Sequence, residues 1–266
     1  MSRVAVIQMT SLADPLVNLA TARTLVADAA AAGARLVVLP EMFLSLEGKR
    51  YPGLAASTDW QEELASWCRQ WKIWLVAGAV PQAAPDEQET RVSSACLVLD
   101  EQGEVVARYN KIHLFDAAVG DAQGTYRESE RFAPGDEVVV IDTPVGRLGL
   151  SICYDVRFPE LFRQLRERGA ELICVPAAFT WRTGQAHWEV LLRARAIEQQ
   201  CYVLASNQCG WHDEKRRTWG HSCVIDPWGS VVASLAEEPG FALADIDLKH
   251  LADVRQNMPV ASHRRL

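Results

Sequence analysis

The segment GARLVVLPEMF at residues 33–43 returns as GAELICVPAAF at residues 169–179, with Gly, Ala, Leu, Pro and Phe in register. Three more echoes keep the same order. SRVAVIQM (2–9) pairs with GRLGLSIC (146–153), WLVA (74–77) with YVLA (202–205), and CLVLDEQGEVVA (96–107) with CVIDPWGSVVA (223–233). Ordered self-similarity of this kind means that one supersecondary unit is used twice.

The unit can be read from its first copy. SRVAVIQ is an apolar strand, and Asp14-Pro15 opens a helix with Leu16, Leu19, Ala22, Val26 and Ala29 at helical spacing. Gly33 ends that helix, and an apolar strand follows over 36–39. A second helix carries Trp60, Leu64, Trp67, Cys68 and Trp71, and then come strand WLVAGAV and a hairpin turning at DEQG. Strands this apolar need cover on both faces. Alternating helices cover one face, and the sheet of the other copy can cover the second. The expected class is α/β: a four-layer α-β-β-α sandwich of two strand–helix–strand–helix–strand–hairpin halves. These lie at roughly 1–110 and 140–247 within a single domain over 1–266. Two independent doubly wound domains are the alternative, but no Pro/Gly/Ser-rich linker separates the copies.

The net charge of −7, from 27 basic and 34 acidic residues, argues against nucleic-acid or anionic-membrane partners. The N-terminal apolar run is too short for a leader, and no stretch approaches the roughly 20 apolar residues that span a bilayer. A soluble, cytoplasmic protein is expected. Seven cysteines are scattered without a CxxC, so neither a disulfide framework nor a structural metal is expected. A free cysteine in an apolar run ordinarily serves as a small hydrophobe.

Three segments place a reactive side chain just beyond an apolar strand, where α/β folds hold ligands. Glu41 follows the strand in VVLPEMF, although alone it reads more naturally as a capping carboxylate. Lys111 follows the hairpin in ARYNKIHLFD. The chain has only five lysines against 22 arginines, which singles it out, with a solvated lysine as the plain alternative. Cys153 ends a strand in GRLGLSICYDVRFPEL, just before a helix opening at Pro159. A thiol on such a turn can be exposed, with the Tyr154 N–H available to an oxyanion. The irregular stretch from about Phe115 to Gly135 is long enough to be functional.

LPEMF, YNKIHLF and CYDVRFPEL together resemble the three signature blocks of the nitrilase superfamily of carbon–nitrogen hydrolases, in order and spacing. The resemblance covers nearly the whole chain. It implies an amidase with Glu41 as general base, Lys111 as oxyanion stabiliser and Cys153 as nucleophile. Glu128, in TYRESERFAPG, is implied as a second carboxylate that positions substrate and water. No metal or cofactor is implied, which agrees with the absence of HExxH, P-loop and GxGxxG patterns. The run FTWRTGQAHWEVLLRARAIEQQCYVLASNQCG is similar to the branch that includes ω-amidase and deaminated-glutathione amidase. The continuation QCGWHDEKRRTWGHSCVIDPWG and the tail RQNMPVASHRR lean to the latter side. The implied reaction splits a 2-oxo acid amide, deaminated glutathione, into 2-oxoglutarate and cysteinylglycine.

On that reading Arg157 clamps a substrate carboxylate, with Tyr154, Phe179 and Thr183 completing that end. His187 reads as a structural helix residue, with Leu191, Leu192 and Ile197 on the buried side. Where relatives often carry Asn, this chain has Ser93 or Ser94, which puts one local hydrogen bond in question. Other readings are an ω-amidase releasing ammonia from 2-oxoglutaramate, a glutaminase module serving a separate synthetase, and an inactive binding module. The last predicts loss of one of Glu41, Lys111 and Cys153, and all three are present. The resemblance also implies a homodimer or higher homo-oligomer, with VRQNMPVASHRRL as a subunit contact.

Overall fold

Along the apolar strands successive side chains face different neighbours, and that alternation builds the layers. The computed structural model describes residues 2–86, 88–122 and 124–265. Its first half runs β1 (Ser2–Gln8), α1 (Pro15–Ala31), β2 (Leu36–Val38), α2 (Tyr51–Ala56), α3 (Asp59–Trp71), β3 (Trp74–Ala83), β4 (Val92–Leu99) and β5 (Val105–Asn110). Val4, Val6, Leu36, Val38, Val76, Cys96 and Val98 enter one apolar cluster. Their neighbours Ala5, Ile7, Val37, Leu75, Ala77, Leu97 and Leu99 enter another, which α1 and α3 close with Ala22, Val26, Leu64 and Trp67.

Three short strands, β6 (Asp116–Ala118), β7 (Thr125–Arg127) and β8 (Phe132–Ala133), lie in the stretch between the halves. The second half begins β9 (Val140–Thr143), β10 (Gly146–Leu150), α4 (Pro159–Glu167), β11 (Leu172–Ala177), α5 (Trp181–Gln199) and β12 (Tyr202–Asn207). It ends β13 (Cys209–Trp211), β14 (Arg217–Trp219), β15 (Cys223–Ile225), β16 (Val231–Ser234), β17 (Gly240–Ile246), α6 (Leu248–Asn257) and α7 (Val260–His263). Leu148, Leu150, Leu172 and Cys174 of this half share the cluster of Val4 and Val38, so the two sheets pack together there. Phe162 and Leu165 of α4 and Trp188 and Leu192 of α5 complete it. The fold is mixed α/β, with helices outside two facing sheets.

The strand orders are β17-β1-β2-β3-β4-β5, with β8 also beside β4, and β16-β15-β12-β11-β10-β9. One feature departs from simple doubling. β9 follows the first half's hairpin yet pairs antiparallel with β10, and β17 follows the second hairpin yet pairs antiparallel with β1. Each sheet therefore takes an edge strand that comes, in chain order, after the other sheet's hairpin. The boundary at 247 assigns β17 to the second half, whereas its hydrogen bonds belong to the first sheet. Register Ser2↔Ile246 through Gln8↔Gly240 ties the two ends of the chain together.

Two helix assignments shift in detail. Leu16 is 75% exposed in the first turn of α1, where side chains lean back past the end of the helix. Ile197, expected on the buried side of α5, is 43% exposed, while Leu192 is fully buried. The C-terminal segment docks on its own chain, and as far along as Arg264 it pairs with Glu167 of α4 at 2.6 Å. Arg255 donates to the carbonyls of Ala170 and Gln200, and Gln200 Nε2 donates to Met258 O. Leu266, the end of the tail read as a subunit contact, lies outside the described residues. Among the described residues no helix is long and apolar enough to cross a membrane.

Candidate active site

The residues that follow β2, β5 and β10 converge. Pro40 stops β2, and Met42, at φ 54°, turns the chain so that its N–H donates to Ala79 O at 2.7 Å. That acceptor sits where the β3–β4 register shifts, beside Gly78. A Cβ on Gly78 would lie 2.0 Å from Leu39 O and 2.6 Å from Pro176 Cβ, so only glycine allows the approach that sets Glu41 in place. Lys111 leaves β5 with its N–H on Ser94 O, and its own carbonyl accepts from Gly135. The Ser94 hydroxyl is buried without a hydrogen-bond partner among the described residues.

Cys153 has φ 46°, in the left-handed region that few L-residues occupy, and opens a 3-10 turn to Arg157. Such a conformation costs about 1–3 kcal/mol and persists only where its surroundings enforce it. Here the enforcing group is Asp155, fully buried two residues on. Its Oδ2 accepts from Ile152 N at 2.8 Å and from the Tyr109 hydroxyl at 2.7 Å. Its Oδ1 accepts from His113 N at 3.1 Å and lies 2.7 Å from His113 Nδ1. Tyr109 and His113 flank Lys111, so one carboxylate fastens the cysteine turn to the lysine segment. His113 is braced by stacking on Phe158 with 3.7 Å between ring centroids.

At the centre, Lys111 Nζ donates to Glu41 Oε1 at 2.8 Å and to both oxygens of Glu128 at 2.8 and 2.9 Å. Glu41 Oε2 accepts from Ala178 N, just beyond β11, at 2.9 Å, and Glu128 Oε2 accepts from Phe115 N at 2.6 Å. Lys111 is 1% exposed and Glu41 5%. Burial works against the lysine charge, but Glu128 and Glu41 more than compensate and hold its pKa well above the usual value. Burial raises the Glu128 carboxyl; Lys111 opposes that and Glu41 adds to it. Burial pushes the Cys153 thiol well above its ordinary range, Glu41 beside it pushes the same way, and Lys111 offsets only part. The resting arrangement is a thiol, an ammonium and two carboxylates in a nearly dry site.

Two clefts open from Cys153 and share Phe115, Ala178 and Thr180. The larger, about 250 Å³, contains Glu41, Lys111 and Glu128, with Tyr51 and three arginines farther out. The narrower is walled by Tyr154, Arg157, Phe179 and Thr183, which places all four expected substrate-end residues together. The Arg157 guanidinium lies 5.7 Å from the Tyr154 ring centroid and 5.3 Å from that of Phe179. Thr183 Oγ1 is 2.8 Å from Thr180 Oγ1 at the start of α5. His187 lies on the outer face of α5. It is exposed, and Arg157 Nη1 donates to its Nδ1 at 3.2 Å.

Sequence reasoning passed over Asp155, Tyr109 and His113, although CYD and YNKIH contain them. It also passed over Arg216 and Tyr51 in the larger cleft. Among the described residues, no group of three or more His, Cys, Asp and Glu side chains is arranged to hold a metal.

Comparison with known proteins fits this geometry. The carbon-nitrogen hydrolase family model matches residues 3–256. A Bos taurus protein named deaminated glutathione amidase is 46% identical over 98% of this chain and 81% of its own length. The crystal structure of the C. elegans NitFhit protein superposes with TM-score 0.91 at 44% identity, covering 99% of this chain. The present chain spans 65% of that one. A mutant of the amidase from Nesterenkonia sp. AN1, solved in complex with butyramide, gives TM-score 0.80 at 30% identity over 97% and 95% of the two chains.

Proposed function

The chain belongs to the carbon–nitrogen hydrolase family, and from that premise we propose that Cys153 attacks the carbonyl of a 2-oxo acid amide while Glu41 takes the thiol proton. One observation carries this reading: a single buried ammonium, Lys111 Nζ, lies between two carboxylates beside a thiol held in its protonated form. A thiol whose pKa is raised needs a base within reach at the moment of attack, and Glu41 is that base.

The carbonyl oxygen becomes an anion as the C–S bond forms. Lys111 Nζ and the Tyr154 N–H neutralise it, and one such donor is worth about 10²–10³ in rate. Glu41 then returns its proton to the leaving nitrogen, the C–N bond breaks, and a thioester remains on Cys153. Water, deprotonated by Glu41 and held by Glu128, attacks the thioester and frees the acid and the thiol. The chemistry is complete with these side chains.

The substrate is deaminated glutathione, split into 2-oxoglutarate and cysteinylglycine. Full-length similarity to proteins named for that activity supports it. So does Arg157, whose planar fork beside Thr183 suits the carboxylate of a 2-oxo acid. The protein acts in the cytoplasm as a homodimer or larger homo-oligomer.

The test is turnover of deaminated glutathione and of 2-oxoglutaramate by the purified protein, with Cys153→Ala as the blank. Faster turnover of the first, with cysteinylglycine released, is expected. Preference for the second, with ammonia released, would make the protein an ω-amidase with the same chemistry. Turnover of neither would remove the 2-oxo acid assignment.

A further inference from the structure

The larger cleft carries more positive charge than the reaction uses. Beyond the Glu41–Lys111–Glu128 cluster its wall contains Arg127, Arg131 and Arg216, against one acid outside the cluster, Glu130. Arg127 and Arg131 are exposed, and among the described residues neither makes a side-chain ion pair. Arg131 is held across Gly48, where a Cβ would lie 2.8 Å from its guanidinium carbon. Arg216 sits deeper. Its Nε is buried without a hydrogen-bond partner among the described residues, where its guanidinium donates through Nη1 to Leu46 O at 3.3 Å. Its charge is felt at the hydroxyls of Tyr51 and Tyr126 across the cleft. A guanidinium has five donors in a planar fork, and those of Arg216 that face the open cleft are free to exchange water for the acceptors of a ligand.

The direction of the scissile bond follows from Glu41. It lines this cleft and not the narrower one, and it must hand its proton to the departing nitrogen. On the proposed mechanism this turns the leaving amine toward Arg216 and the acyl group toward Arg157.

We propose that Arg216, with Arg131 at the rim, binds a carboxylate carried by the leaving amine, so that the preferred substrates are amides bearing an anionic group on each side of the scissile bond. This rests on the functional reading above and sharpens it. A peptide-like leaving group ending in a carboxylate satisfies the fork, whereas a primary amide leaves it empty. Arg216 thus sets specificity for the amine side, as Arg157 does for the acyl side.

The experiment compares deaminated glutathione with its C-terminal carboxamide, which differs only in that terminal charge. The wild-type protein is expected to favour the free acid at least tenfold in kcat/KM, mainly through KM. Arg216→Gln is expected to bring that ratio to within about twofold, and Arg216→Lys to an intermediate value, because a lysine keeps the charge but not the fork. A merely structural role would lower both substrates in proportion and leave the ratio unchanged, which would overturn the proposal. A wild-type ratio near one would also overturn it while leaving the amidase reading intact. Failure of the wild type to turn over either compound would remove both.

Discussion

Glu128→Gln separates two effects of one buried carboxylate. Both Glu128 oxygens accept, Oε1 from Lys111 and Oε2 from Lys111 and the Phe115 N–H. Glutamine keeps the size but must turn its NH₂ toward one of those donors. A lost hydrogen bond to a charged group is worth about 1.5–3 kcal/mol. Opposing this, burial and the nearby Glu41 raise the Glu128 pKa against the pull of Lys111, so its environment disfavours the charge that the substitution removes. The two terms oppose each other, so the net change in stability is smaller than the loss of the hydrogen bond alone. With a net change of about 1 kcal/mol and about 2–4 °C per kcal/mol for a protein approaching this size, the melting temperature should move by no more than about 4 °C. Catalysis has no such compensation. Lys111 would keep one neutral amide oxygen in place of a carboxylate and shift toward Glu41, which on the proposed mechanism both misplaces the oxyanion donor and binds the base more tightly. Loss of one donor's alignment predicts a fall in kcat of about 10²–10³. Calorimetry and initial rates on the same preparation decide the matter. A kcat within threefold of wild type would rule out a catalytic need for the Glu128 charge, and a loss of activity accompanied by a melting shift above 10 °C would make the defect one of folding.

Other consequences can be checked separately. Since the folded-state pKa of Glu128 is raised, its protonation on acidification begins above the ordinary carboxylate value of about 4.3. On acidification the pH–rate profile should therefore start to fall while the pH is still above that value. The same group's contribution to stability is present below its unfolded pKa and lost as pH rises through the folded one, so inactivation should precede acid unfolding. Tyr109→Phe removes one hydrogen bond to the buried Asp155 and should cost about 1.5–3 kcal/mol in urea denaturation. It should also lower kcat more than it raises KM, because the fastening between Cys153 and Lys111 is loosened. Burial lowers His212 to about 4, while the unfolded chain takes up its proton near 6.5. Its contribution is lost as pH falls through that window, about 2 kcal/mol by pH 5, and His212→Gln should narrow the melting difference between pH 7.5 and pH 5. Gly78→Ala should abolish activity even in folded protein, seen as loss of kcat with near-native circular dichroism, because a Cβ there displaces the Leu39–Pro40 backbone that holds Glu41.

The layers were legible because strands buried on both faces must be apolar at every position, and two ordered copies of such strands can bury each other. Glu41, Lys111 and Cys153 were legible because each follows an apolar strand inside a recognisable block. The crossing of β17 to the first sheet was not, since GFALADI marks a strand without naming its partner. The Asp155 fastening joins residues 46 apart in the chain, and only the left-handed turn at Cys153 reveals that they meet. Ile197 was assigned from helical spacing on a helix whose apolar residues do not form a clean stripe, so the spacing identified the helix but not its rotation. Arg216 lay in the polar run HDEKRR, where nothing local distinguishes a cavity-lining arginine from a solvated one.

Rapid acid quenching during turnover of deaminated glutathione, followed by peptide mass mapping, shows whether Cys153 carries the acyl group. The account predicts a 2-oxoglutaryl thioester on Cys153, formed with a burst of cysteinylglycine equal to the enzyme present and absent in Cys153→Ala. An acyl group on another residue, or a Cys153→Ala protein that still releases cysteinylglycine, would contradict it.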